Sequence, residues 1–158
     1  MTPEELARRA NLTPATLHRL LAEYQYAMSD EMSAAMHDAP DDPIAAQFIP
    51  DARELTIAAS ELADPIGDAP HSPLPSLVHR YPNRVLWKIS PVCAVYCRFC
   101  FRKEHIGRRG QALRQRETAA VTAYLAAHHE IEEIILSGGD PLTLSDKKLR
   151  QCLAALHD

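Results

Sequence analysis

Three of the four cysteines in this 158-residue chain fall within eight residues, as Cys93-Ala-Val-Tyr-Cys97-Arg-Phe-Cys100. Thiolates are the soft ligands that zinc and iron–sulfur clusters select. A structural zinc site takes four ligands, usually from two close pairs, and no second cysteine pair exists here. A four-iron electron carrier also uses four cysteines. Three thiolates on a cubane cluster leave one iron open to a small molecule, and an open coordination position is a catalytic arrangement. A zinc knuckle closed by His105 is the competing reading of the same cysteines. Cys152 stands apart, at apolar spacing with Leu149 and Leu156, and is expected in the core as a small hydrophobe.

A second candidate site is the run Ser137-Gly138-Gly139-Asp140-Pro141. Glycines let backbone polar groups come close to a ligand. Arginines are frequent around both sites, from Arg80 and Arg84 to the basic stretch Arg98–Arg116, whose bland reading is a solvated face. The histidines at 18, 37, 71, 128, 129 and 157 show no ligand-like spacing with one another, and the role of His79 stays open.

Both candidate sites need elements to hold them. Val85–Ile89 is a short apolar run that reads as a buried strand, and the cysteines follow at once. Glu117–His129 reads as a helix, Glu133–Leu136 as a second strand, and Ser145 as the N-cap of a helix over Asp146–His157. Strand, loop, helix, repeated, predicts parallel pairing with a right-handed crossover. Both candidate loops then lie at carboxyl ends of strands, where α/β folds place ligands. Upstream, Thr2-Pro3 and Thr13-Pro14 each read as an N-cap followed by a first-turn proline. They predict a short helix, a break near Asn11–Thr13 and a longer helix, with another short one over Asp30–Met36. Pro40–Pro91 carries nine of the twelve prolines together with many apolar residues, and so predicts an ordered extended wrap with a helical turn or two.

Composition excludes several classes. At 46% hydrophobic and 24% charged residues the chain is neither a disordered tail nor membrane-spanning. It opens Met-Thr-Pro-Glu-Glu, without a basic start and apolar core, so no signal peptide is read and a cytoplasmic location is expected. Charge is uneven: residues 1–80 carry −8 and residues 81–158 carry +4, giving −4 in all. The stretch Ala7–Leu17 hints at a helix-turn-helix, but an acidic front half opposes phosphate binding, and nucleic acid is not expected as a partner.

The cysteine string, with Phe99 in its aromatic slot, resembles the signature of the radical S-adenosylmethionine (radical SAM) enzymes. The Ser137–Asp140 loop at the end of the next strand is similar to that superfamily's glycine-rich loop. A narrower resemblance, to the lysine 2,3-aminomutase family, rests on His79-Arg80-Tyr81-Pro82-Asn83-Arg84-Val85-Leu86, on Cys-Arg-Phe-Cys-Phe-Arg-Lys through Lys103, and on Leu136-Ser-Gly-Gly-Asp-Pro-Leu142. Asp42-Pro43-Ile44, Gln47–Pro50, Ala63–Gly67 and His71–Pro73 extend it upstream.

The resemblance implies an α/β fold: the first two β/α units of a partial TIM-type barrel over 81–158, after a helical and Pro-rich region over 1–80. It implies a [4Fe–4S] cluster on Cys93, Cys97 and Cys100. S-adenosylmethionine would lie beside Phe99 and the backbone of Ser137, Gly138, Gly139 and Asp140, and pyridoxal phosphate near Arg80, Tyr81 and Arg84. Arg102 takes the substrate carboxylate, a role that suits a planar guanidinium. The activity implied is an isomerase that moves the amino group of lysine to the neighbouring carbon, fed by an electron donor such as flavodoxin or ferredoxin. A homo-oligomer is the expectation for a full-length member. The family's pyridoxal-binding lysine and its acidic residues for the ε-ammonium have no counterpart here. Lys88, Lys103, Lys147 and Lys148 do not sit at that position. The chain is therefore expected to be the front part of a longer protein and inactive by itself. The competing readings are a related aminomutase that serves elongation-factor modification, and a non-catalytic iron–sulfur or zinc fragment.

Overall fold

A computed structural model of the chain describes residues 1–39, 41–103, 105–107 and 115–156. Pro40, Arg108, Arg109, Arg114 and His157, which belong to segments read above, lie outside the described residues. Contacts divide the chain into two units, Met1–Pro65 with Ala94–His105, and Ile66–Cys93 with Ile106–Asp158.

In the first unit, helices α1 (Pro3–Arg9) and α2 (Pro14–Glu23) start as the sequence implies. Thr2 accepts from Glu5 N–H and Thr13 from Thr16 N–H, and a proline opens each first turn, where no intrahelical N–H is needed. The break is made by Asn11 at φ 51°, a left-handed conformation that asparagine tolerates better than most residues. Leu6, Ala7 and Leu17 form a small core with Leu12, Leu21, Tyr26 and Ile49 packed on it. Helix α3 (Asp30–Ala35) is capped by Ser29, and the Pro-rich wrap adds α4 (Ala45–Phe48) and a 3-10 turn, Ala52–Leu55.

The second unit is a three-stranded sheet in the order β1-β2-β3. Strand β2 (Arg84–Ser90) pairs parallel to β3 (Glu133–Gly138), as the repeated strand–helix pattern requires. Helix α5 (Gln115–Ala126) lies between them in sequence, and α6 (Asp146–Ala154) follows with Ser145 as its cap. The sequence reading missed β1 (Leu77–Tyr81), which pairs antiparallel to β2, so the sheet is mixed and starts ahead of residue 81. The prolines at 73, 75 and 82 hid it: they flank a five-residue strand without interrupting it, and β1 is a sheet edge, where proline neighbours are tolerated.

Alternation along β2 sorts its side chains. Val85, Trp87 and Ile89 are buried, whereas Leu86 and Lys88 on the other face are half-buried. Leu77, Val121 and Cys152 complete that core, so Cys152 is the buried hydrophobe its spacing implied. Lys147 and Lys148 stand exposed on the first turn of α6.

Candidate metal centre

The backbone leaving β2 is pinned by the loop leaving β3. Gly139 N–H donates to Ser90 O at 2.5 Å and Asp140 N–H to Val92 O at 2.8 Å, holding together the two chain segments that leave the parallel strands. Ser90, 2% exposed, donates its hydroxyl to Val92 O and accepts Val92 N–H; Thr143 Oγ1 donates to Val92 O as well. The residue after this knot is Cys93.

Both glycines are required by the same close approach. A Cβ on Gly139 would collide with the Val92 carbonyl group and lie 2.9 Å from Val92 N. A Cβ on Gly138 would strike Ser90 O, and Gly138 also sits at φ 109°, where side chains are rarely found. Asp140 Oδ1 accepts Leu142 N–H at 2.9 Å, capping the 3-10 turn Pro141–Thr143. That carboxylate thus has a local structural task beside any ligand role, one the sequence reading did not foresee.

The remaining cysteines belong to the first unit, in a chain of turns. Cys100 N–H donates to Cys97 O at 3.1 Å, and Lys103 N–H to Cys100 O at 3.1 Å. Burial pushes the Cys97 thiol above its ordinary pKa, and the negative charge of Cys100 adds to the rise. A bound cation or cluster would offset that rise at Cys97, because a metal deprotonates its ligands. Cys93, Cys97 and Cys100 form no disulfide and are all partly exposed. As a donor set they fit a cluster held through three irons. Among the described residues no group of three or more His, Cys, Asp or Glu side chains is gathered as a ready metal cage. His105 is exposed.

Phe99 projects outward, 70% exposed. Arg102 is half-buried, its guanidinium 4.6 Å from the Phe101 ring centroid. Arg80 and Tyr81 end β1, and Arg84 opens β2. Arg80 donates to Ile66 O and to Asp68 Oδ1, at 3.2 Å for the latter. Arg84 pairs with Glu133 at 3.2 Å, both about half exposed, and lies 5.9 Å from the Tyr81 ring. His79, left open above, is bonded at both ring nitrogens: Nδ1 lies 2.7 Å from Tyr124 Oη and Nε2 donates to Pro82 O at 3.3 Å. It ties the β1–β2 turn to α5. Among the described residues no helix is long and apolar enough to cross a membrane.

Comparison with known proteins places these features. Residues 87–157, from mid-β2 through α6, match the model of the Radical SAM superfamily, which implies a [4Fe–4S] cluster and S-adenosylmethionine. The chain is 33% identical over 167 aligned positions to an L-lysine 2,3-aminomutase of Acetoanaerobium sticklandii, covering 99% of this chain and 39% of that protein. It is 38% identical to the L-lysine 2,3-aminomutase of Clostridium subterminale over 75% of this chain and 29% of the relative. For that of Escherichia coli the figures are 39% identity, 75% and 34%. The chain therefore spans about two fifths or less of the length of these relatives. In its cysteine loop, its glycine pair and its sequence, the chain is similar to the L-lysine 2,3-aminomutases, and over residues 87–157 it matches the Radical SAM superfamily.

Proposed function

We propose that this chain provides the cluster- and S-adenosylmethionine-binding part of an aminomutase that acts on lysine with pyridoxal phosphate. When bound, the reduced cluster and S-adenosylmethionine supply a carbon-centred radical for hydrogen abstraction, and pyridoxal phosphate supplies a π-system for the migrating nitrogen. The protein's share is binding, orientation and exclusion of water.

Cys93, Cys97 and Cys100 hold three irons. Ser137, Gly138, Gly139 and Asp140 bring backbone polar groups to the methionine end of the nucleotide, and the outward ring of Phe99 offers a face to its adenine. Arg102 receives the substrate carboxylate. Its guanidinium lies 4.6 Å from the Phe101 ring centroid, and a planar donor fork suits a carboxylate. Arg80, Tyr81 and Arg84 receive the pyridoxal phosphate group. The Arg84–Glu133 pair is half exposed; such pairs contribute about 0–1 kcal/mol, so a phosphate dianion can displace the carboxylate.

The observation that carries this reading is the knot at the carboxyl ends of β2 and β3: Gly139 and Asp140 bind the backbone that delivers Cys93. It ties the backbone just before Cys93 to the glycine loop. The experiment is anaerobic reconstitution, reduction with dithionite and addition of S-adenosylmethionine. Methionine and 5′-deoxyadenosine are the expected products, and their absence with a loaded cluster refutes the assignment. The lysine assignment is tested by calorimetric titration of the loaded protein with L-lysine: Arg102→Ala should weaken binding at least tenfold, and an unchanged isotherm removes Arg102 from the site.

A further inference from the structure

Within the first unit, the residues between the cysteines are held from outside the loop. Arg98, which directly follows Cys97, is 8% exposed at its side chain and Glu54 is 12% exposed. They form a two-pronged pair, Arg98 Nε to Glu54 Oε1 at 3.0 Å and Nη2 to Oε2 at 2.8 Å. The third guanidinium nitrogen donates to Gln25 O at 2.9 Å. Backbone bonds run alongside: Arg98 N–H to Gln47 O at 2.8 Å and Tyr96 N–H to Ala27 O at 2.9 Å. Glu54 also accepts Asp51 N–H at 3.1 Å within a capping box, and Lys103 Nζ lies 3.8 Å from its Oε2. Lys103 in turn sits 4.1 Å from the Tyr24 ring centroid.

Two facts need a common cause. A buried pair is costly to desolvate, and apolar residues of similar volume often serve stability as well. Yet this one is built from a 3-10 turn in the Pro-rich wrap and placed beside a metal-ligand motif. Cluster reduction potentials respond to net charge, hydrogen bonding and exposure around the ligands. Arg98 and Lys103 put two positive charges on the cysteine loop, and Glu54 removes one of them.

We infer that Glu54 is a positioning and charge-setting residue for the cluster: through Arg98 it fixes the loop between Cys97 and Cys100 and holds the reduction potential low. The inference rests on the proposed cluster-binding function. The electron transfer concerned is one-electron reduction of [4Fe–4S]2+ to [4Fe–4S]+, with the electron drawn from an external low-potential donor.

The charges of Glu54, Arg98 and Lys103 sum to +1. Glu54→Gln makes the sum +2, Arg98→Gln makes it 0, and the double variant restores +1. The test is a dithionite titration of the reconstituted full chain, with the reduced cluster read by electron paramagnetic resonance. Glu54→Gln should move the midpoint positive, Arg98→Gln negative, and the double variant back near the parent value. Mere loosening of the loop has no reason to shift the two single variants in opposite directions. Midpoints that stay put, or move the same way in both, overturn the inference while leaving the cluster assignment intact. If Glu54→Gln takes up no iron, Arg98→Gln carries the same test by its sign. Loss of the cluster in all three variants overturns the charge account, and a parent chain that takes up no cluster overturns the proposed function and this inference together.

Discussion

Gly139→Ala isolates the contact on which the site geometry depends. Gly139 does not have a positive φ, so alanine is conformationally acceptable there and the cost comes from space alone. The new methyl group would meet the carbonyl carbon of Val92 at 2.7 Å and its nitrogen at 2.9 Å. These are backbone atoms and cannot swing aside as a side-chain tip does. Forced overpacking of this kind costs about 1–3 kcal/mol. The shift that relieves it must lengthen the bonds Gly139 N–H to Ser90 O and Asp140 N–H to Val92 O, each contributing about 0.5–1.5 kcal/mol. The sum is about 2–6 kcal/mol, a large part of a typical domain stability of about 5–15 kcal/mol. Gly67→Ala is the control: it has φ 67° but nothing within 4 Å of the added carbon, so it should lose only the left-handed penalty of about 1–2 kcal/mol. Urea unfolding followed by circular dichroism measures both. Gly139→Ala should fall to the lower midpoint, with iron uptake reduced in parallel. Equal midpoints for Gly139→Ala and the parent chain would refute the close-approach argument.

Three further outcomes follow from the same contacts. Trp87, the one tryptophan and fully buried in the sheet core, should lose about 3–5 kcal/mol on change to alanine; a urea midpoint within error of the parent would contradict its placement. Burial pushes the Asp42 carboxyl up, but the backbone N–H donors of Ala45, Ile44 and His37 outweigh it and hold its pKa below the ordinary value. Its stabilisation is therefore present above pH of about 4, the unfolded value, and lost as pH falls through the folded value; Asp42→Asn should flatten the acid limb of a stability–pH curve, and an unchanged limb would count against these N–H bonds to the carboxylate. In the metal-free chain, Cys97 should alkylate slowly with iodoacetamide near neutral pH, because burial and then Cys100 raise its pKa. Cys100→Ser should speed it, as read by mass spectrometry; no change would mean the two sulfurs do not sense each other.

Local signals made much of this molecule legible. Thr-Pro pairs fixed two helix starts because a cap and a first-turn proline act within four residues. The apolar run after Arg84 and the glycine pair at the end of β3 were readable for the same reason. What stayed hidden depends on residues far apart in sequence. Strand β1 is short and set among prolines, so it carries no periodic signal of its own and exists because β2 supplies its partners. His79 meets Tyr124 across 45 positions, and Glu54 meets Arg98 across 44; Glu54 stood in no motif, and the run that holds His79 carried no sign of its partner. Asp140 was read for a ligand, and its cap on Leu142 shows that one carboxylate can serve the turn that presents the site. The chemistry was visible because it is written in three close thiols, and the devices that position those thiols were not, because tertiary pairing leaves little trace in a single sequence.

The central claim is that Cys93, Cys97 and Cys100, and not Cys152, hold a cluster with one open iron. Anaerobic reconstitution with iron and sulfide, followed by metal analysis and electron paramagnetic resonance with and without S-adenosylmethionine, measures it directly. About four irons per chain are expected, lost in Cys97→Ala and kept in Cys152→Ala, with a reduced signal that changes when S-adenosylmethionine is added. One zinc per chain without cluster absorbance, or a reduced signal indifferent to S-adenosylmethionine, would contradict it.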